Sequence, residues 1–183
     1  MKKIGYSVIR SRRKTISISV SHDGKVTVRA PERITDTDIR RFIDEKRVWI
    51  EKQLIHAEEI RTQQNARGEI TEETIRDLKE KAKLNIPSRV YQWARQIGVS
   101  YGKITIRHQK TRWGSCSSQG NLSFNCMLMM CPEEVIDYVI IHELCHRKEM
   151  NHSARFWAAV HNVCPEYRKY RKWLRQNGQS ILL

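Results

Sequence analysis

Three features of this 183-residue chain predict an α+β fold: alternating apolar residues ending near Ala30, several segments with apolar residues at helical spacing, and a short alternating segment just ahead of an apolar helix. The expected architecture is an N-terminal antiparallel β-hairpin or sheet with a helix, then a compact core. In that core a short antiparallel sheet lies over the helix carrying His142-Glu143-Leu144-Cys145-His146.

Ile16, Ile18, Val20, Val26, Val28 and Ala30 alternate around His22-Asp23-Gly24-Lys25, the pattern of two strands joined by a tight turn. Thr35 with Asp38 is a capping signal, and Ile39, Phe42, Ile43, Ile50 and Leu54 then share a helix face to about Glu59. The polar stretch 61–68 reads as a linker, dividing the chain into an N-terminal extension over 1–67 and a core domain over 68–183. Thr71 can cap a helix carrying Ile75, Leu78 and Ala82. Pro87 either kinks it or opens a second one through Val90, Trp93, Ala94 and Ile97, closed by Gly98. Lys103 to His108 alternates as a strand, 111–120 has the composition of a loop, and Asn121 to Asn125 can form another strand. Pro132 lies near the start of the motif helix, Ser153 caps the next, and Pro165 opens the last.

Lysine and arginine number 34 against 20 aspartates and glutamates, and the net charge of +14 favours anionic partners, nucleic acid and nucleotides among them. The densest basic run, Tyr167 to Arg175, interleaves aromatics. Because Tyr167, Tyr170, Trp173 and Leu174 recur at helical spacing, they are expected to pack inward while the bases stay solvated. The cysteines (Cys116, Cys126, Cys131, Cys145, Cys164) are odd in number and form no CxxC pair, as in a cytoplasmic protein with reduced thiols. The spacing of Cys116, Cys126 and Cys131 fits no common structural-zinc pattern. No apolar run reaches membrane-spanning length, so no membrane partner is expected, and the sequence carries no signal of an oligomeric state.

On a helix, His142 and His146 lie about 40° apart and about 6 Å along the axis, so both imidazoles can converge on one ion. The helix is apolar almost all round (Val135, Ile136, Tyr138, Val139, Ile140, Ile141, Leu144), and buried His and Glu side chains need a partner. His152 follows after a turn that Asn151 can supply and is the expected third ligand, with Glu149 its competitor. The expected cofactor is Zn2+ with an open fourth position. Glu143, beside the ligands, is the expected general base toward metal-activated water, as in the metalloprotease motif. Cys145 is expected to be a small buried residue, and Tyr138, His161 and Arg112 are unranked candidates for an oxyanion donor. The strand 121–125 is expected to be a sheet edge over the metal, where a peptide adds itself as a further strand.

The run Lys110-Thr111-Arg112-Trp113-Gly114-Ser115-Cys116, the segment Asn121-Leu122-Ser123-Phe124-Asn125, and Tyr138 through the histidine motif to Asn151-His152-Ser153 and Phe156-Trp157 resemble the YgjP-like metallopeptidase family, related to the SprT-like and WLM groups. The likeness is closest from about Gly98 to Gly178, and the N-terminal hairpin and helix fit the family's usual extension. It implies a zincin-like core, zinc on His142, His146 and His152, Glu143 as catalytic base, and a small metallopeptidase acting on peptides. Family members have also been described as nucleotide (UTP) pyrophosphatases, a reading in which Arg112 and Lys110 hold phosphates; Trp113-Gly114-Ser115 is not a phosphate-cradling loop. The SprT-like relationship implies a further alternative, a nucleic-acid-associated protease.

Overall fold

Val26, Val28 and Ala30 are buried while Thr27 and Arg29 between them are not, so the period-two pattern is that of a half-buried strand, β3 (Val26–Pro31). The computed structural model describes residues 4–21, 23–68 and 70–182. The chain divides into two units, Met1–Gly68 and Glu69–Leu183.

In the first unit β2 (Ser17–Val20) pairs antiparallel with β3, setting Ile18 against Val28 and Val20 against Val26. Gly24 takes φ 78° in the turn, a conformation that suits a residue without Cβ; His22, the other end of the expected turn, lies outside the described residues. Strand β1 (Tyr6–Ser11) pairs parallel with β3, so the sheet order is β1-β3-β2. The sheet is therefore mixed rather than purely antiparallel: the chain reverses twice and seats its third strand between the first two.

Helix α1 (Asp36–Glu45) begins at Thr35, whose hydroxyl accepts the Asp38 N–H, an interaction that contributes about 1 kcal/mol. The single helix expected to about Glu59 breaks at Lys46 and resumes as α2 (Arg47–Arg67), which runs through the stretch expected to be a linker. Those polar residues are competent helix formers, and their polarity reflects an exposed helix; the stop comes at Gly68, with φ 82°. Val26, Val28, Ala30, Ile39, Ile43 and Ile50 form this unit's core.

In the second unit Thr71 caps α3 (Glu72–Ile97), and Gly98, left-handed at φ 72°, ends it. The helix passes through Pro87 without opening a second one. Proline there forfeits a backbone hydrogen bond at about 3 kcal/mol, but the buried stripe Ile75, Leu78, Ala82, Ile86, Val90, Ala94 and Ile97 continues across it. The sheet of β4 (Ile104–Arg107), β5 (Gly114–Cys116) and β6 (Leu122–Asn125) has the order β4-β6-β5, β4 and β6 being parallel and β5 and β6 antiparallel.

Two expectations are corrected here. Strand β5 lies inside the segment expected to be a loop, because a three-residue Gly-Ser-Cys strand has no alternation to detect. Strand β6 is central rather than an edge, and the outer strands are β4 and β5. A 3-10 turn (Cys126–Met130), capped by the Asn125 side chain, leads to α4 (Glu133–Cys145), with Pro132 at its N-cap. Ser153 caps α5 (Ala154–Val163), and α6 (Tyr167–Leu182) follows Pro165. Tyr167, Tyr170, Trp173 and Leu174 pack inward as their spacing predicts. The fold class is α+β. No helix among the described residues is long and apolar enough to cross a membrane.

Candidate metal centre

Helix α4 is buried nearly all round and packs against α3, α5, α6 and β5. Its polar side chains lie at its two ends and at Asp137, which pairs with Arg89: Glu133 and Glu134 are exposed in the first turn, His142 and Glu143 lie on the last, and His146 is its C-terminal cap. The chain then turns, with the Lys148 and Glu149 N–H groups both donating to the Cys145 carbonyl. Arg147 pins this turn by donating to the carbonyls of Ser100 and Ser118. A second turn, closed by the Ser153 N–H on the Asn151 carbonyl, brings His152 back to the end of α4.

The ligand nitrogens of His142, His146 and His152 lie within 4.8 Å of one another, and the Nε2 atoms of His142 and His152 are 3.0 Å apart. Phe156, fully buried, forms the floor: its ring centre is 4.5 Å from that of His146, 4.8 Å from His152 and 4.9 Å from His142. Trp157 walls one side, 5.7 Å from His152 and 5.8 Å from His142.

The donor set fits a divalent ion. The His146 Nδ1 lies 3.2 Å from the Glu149 carbonyl, which can only accept, so Nδ1 carries the hydrogen and Nε2 presents a lone pair. Burial, with repulsion from His146 and His152, pushes the His142 imidazole down to about 3 and keeps it neutral. Burial lowers His146 as well. Facing nitrogens 3.0 Å apart repel unless a proton or cation lies between them, and neutral imidazoles are preferred ligands of zinc and its neighbours.

Glu143 is buried, and burial alone pushes its carboxyl up to about 8. Among the described residues no side-chain hydrogen bond or ion pair engages it. The backbone of β5 runs against it: a Cβ placed on Gly114 would fall 2.8 Å from the Glu143 Cγ and 2.9 Å from Oε1.

Glu149, the competitor for third ligand, turns its carboxylate toward Arg155 at 3.5 Å and serves His146 through its backbone instead. Cys145 is buried with its thiol pushed up to about 11, as a small apolar residue would be placed. Cys116, Cys126 and Cys131 form no ligand group among the described residues. Of the three oxyanion candidates, Tyr138 meets the cluster, its ring edge-on to His142 at 6.0 Å and its phenol raised by burial to about 12. His161 packs near Tyr167, and Arg112 is exposed on the loop before β5.

Sequence reasoning missed two neighbours of the site. Gly114 carries no signal except its lack of a side chain. Arg171, read as one of the solvated bases of α6, sets its guanidinium 4.7 Å from the centre of the Trp157 ring.

Imidazoles from one helix and the turn beyond it, beside an unpartnered buried carboxyl, define the class of metal-dependent hydrolases. The YgjP-like metallopeptidase domain matches residues 14–77 and 57–177, and the chain belongs to the YgjP-like metallopeptidase family. Two solved structures are similar. The metallopeptidase zymogen of Pyrococcus abyssi abylysin is 25% identical, over 49% of this chain and 90% of that one, with a TM-score of 0.45. The metallopeptidase zymogen of Methanocaldococcus jannaschii jannalysin is 24% identical, over 50% and 95%, also at 0.45. Comparison with curated proteins found no match.

Proposed function

We propose that the protein is a small cytoplasmic zinc metallopeptidase with a zincin-like core over 68–183 and an N-terminal extension over 1–67. His142, His146 and His152 hold the ion, and Glu143 is the general base. The observation that carries this reading is the convergence of three imidazoles beside a buried carboxyl group that, among the described residues, no side chain engages.

A bound zinc ion supplies Lewis acidity, polarising a carbonyl and acidifying water. The chain's own residues do the rest. Glu143, which a cation held by the three imidazoles would keep ionised, accepts a proton from water at its carboxylate and returns it to the departing amine nitrogen. Strand β5, an outer strand of its sheet, offers backbone groups to an extended peptide and so orients the amide over Glu143. Tyr138, whose ring meets His142 edge-on, is the oxyanion-donor candidate that the site keeps. Phe156 excludes water from beneath the imidazoles.

Metal-replete protein incubated with a broad peptide library is expected to give cleavage. Glu143→Gln lowers it by about 10²–10⁴-fold with metal content unchanged, whereas His146→Ala loses the metal by elemental analysis. The net charge of +14 favours one rival, a nucleotide substrate. Intact peptides throughout, with pyrophosphate released from UTP by the wild type and not by His146→Ala, would replace the peptidase reading.

A further inference from the structure

We infer that Arg171 and Arg168 of α6, with Trp157 and His161, form a subsite for a substrate carboxylate, so that the enzyme prefers peptides carrying negative charge close to the cleaved bond. The inference rests on the peptidase reading.

Trp157 joins the subsite to the metal centre. Its indole packs against His152 and His142, and the same ring lies under the Arg171 guanidinium. Beside Trp157 opens a cavity of about 360 Å³ lined by Trp157, Ala158, His161, Pro165, Tyr167 and Arg168. Its volume is in the range of small-ligand clefts, roughly 300–1,000 Å³. Tyr167 stacks on Trp157 at 5.3 Å and 18°, giving the cavity a rigid aromatic wall.

The charge on this face is unbalanced. Helix α6 carries Arg168, Lys169, Arg171, Lys172 and Arg175 and no acidic residue. Glu166, just before it, is taken by Lys169 and the Tyr170 hydroxyl. Among the described residues no carboxylate pairs with Arg168 or Arg171, whereas Arg41 and Arg61 each have one and Arg47 and Arg89 each have two. Arg168 lines the cavity with its Nε donating to the Tyr167 hydroxyl, and Arg171, one turn along α6, covers the Trp157 ring that walls it; two like charges one turn apart on a helix repel each other and gain from a shared anion. Guanidinium groups take carboxylates in a bidentate fork, and the aromatic wall suits the aliphatic part of an amino acid. The carboxylate has two sources, the C-terminus of a short peptide or an aspartate or glutamate side chain.

The test uses three N-acetylated peptides of one core sequence: a free C-terminal acid one residue beyond the cleaved bond, its C-terminal amide, and an amide with aspartate at that last position. Their kcat/KM is measured on the metal-replete enzyme, and their Kd by calorimetry on Glu143→Gln protein. A charge-assisted pair predicts a preference of about 10–100-fold for at least one acidic peptide over the neutral amide. Which acidic peptide gains it identifies the source. Arg171→Gln reduces the preference to less than about threefold, mainly through KM, Arg171→Lys restores part of it, and Lys172→Gln keeps it. Carboxylate-dependent binding lost in Arg171→Gln, with neither these peptides nor the broad library cleaved, would uphold the subsite and sink the peptidase reading. Acid and amide forms bound equally overturn the subsite, whether or not they are cleaved.

Discussion

At the residue scale the most exacting position is Gly114, because the atom it lacks would overlap the side chain on which the proposed chemistry turns. An added Cβ would sit 2.8 Å from the Glu143 Cγ, closer than nonbonded carbons approach, and the carboxylate rather than the strand is the part free to move. Displacing a catalytic group by about 1 Å can reduce rate about 10²-fold. Gly114→Ala is therefore expected to lower kcat by about one to two orders of magnitude while leaving zinc content and KM near their wild-type values. Full activity in that variant would show that Glu143 does not need its present seat. The contrast with the histidines explains what was legible. His142 and His146 are related by helix periodicity, and His152 by one short turn, so the convergence of the three can be read from spacing alone. Gly114 and Arg171 reach the site across a sheet and from another helix, and no local pattern records such contacts.

At the element scale the caps were the most readable feature. Thr35, Thr71 and Ser153 each start the helix that their spacing predicts. Helix ends set by composition were less so: α2 continues through a polar stretch, and α1 breaks at Lys46, where no glycine or proline marks it. Strand order was not legible, since it depends on pairing across the chain. Both sheets nevertheless adopt one solution, with the third strand between the first and second. In the second sheet this places β6 at the centre and gives the outer position beside Glu143 to β5. The Ser153 cap bears directly on function, because His152 is the residue before it. Its hydroxyl accepts the Phe156 N–H, fixing the start of α5 and with it the Phe156 floor. Ser153→Ala is expected to cost about 1 kcal/mol of stability and also to weaken zinc binding, since the third imidazole loses its anchored neighbour. Thermal denaturation without metal and competition with a chromogenic chelator separate the two effects. A variant with lowered stability and unchanged zinc affinity would show that His152 is held by its ring contacts alone.

At the scale of the whole molecule, the two units keep separate apolar cores. Val26, Val28, Ala30, Ile39, Ile43 and Ile50 form one, and the stripe of α3 with α4 and β6 belongs to the other. Among the described residues the two cores have no member in common, and His142, His146 and His152 all lie in the second unit. Linkage then makes a prediction that does not depend on any substrate. A ligand stabilises only what it binds in the folded state, by about 2.7 kcal/mol at a hundredfold excess over Kd. Zinc should therefore raise the melting temperature of the second unit and leave that of the first where it was. Conversely, Ile50→Ala removes a fully buried side chain from the first core and should destabilise that unit by about 2–5 kcal/mol without moving the zinc-sensitive transition. Scanning calorimetry on the full chain, with zinc and with chelator, resolves these shifts. One transition displaced by both zinc and Ile50→Ala would mean that the extension and the metal-bearing unit unfold as one, and the two cores would then have to be treated as a single cooperative system.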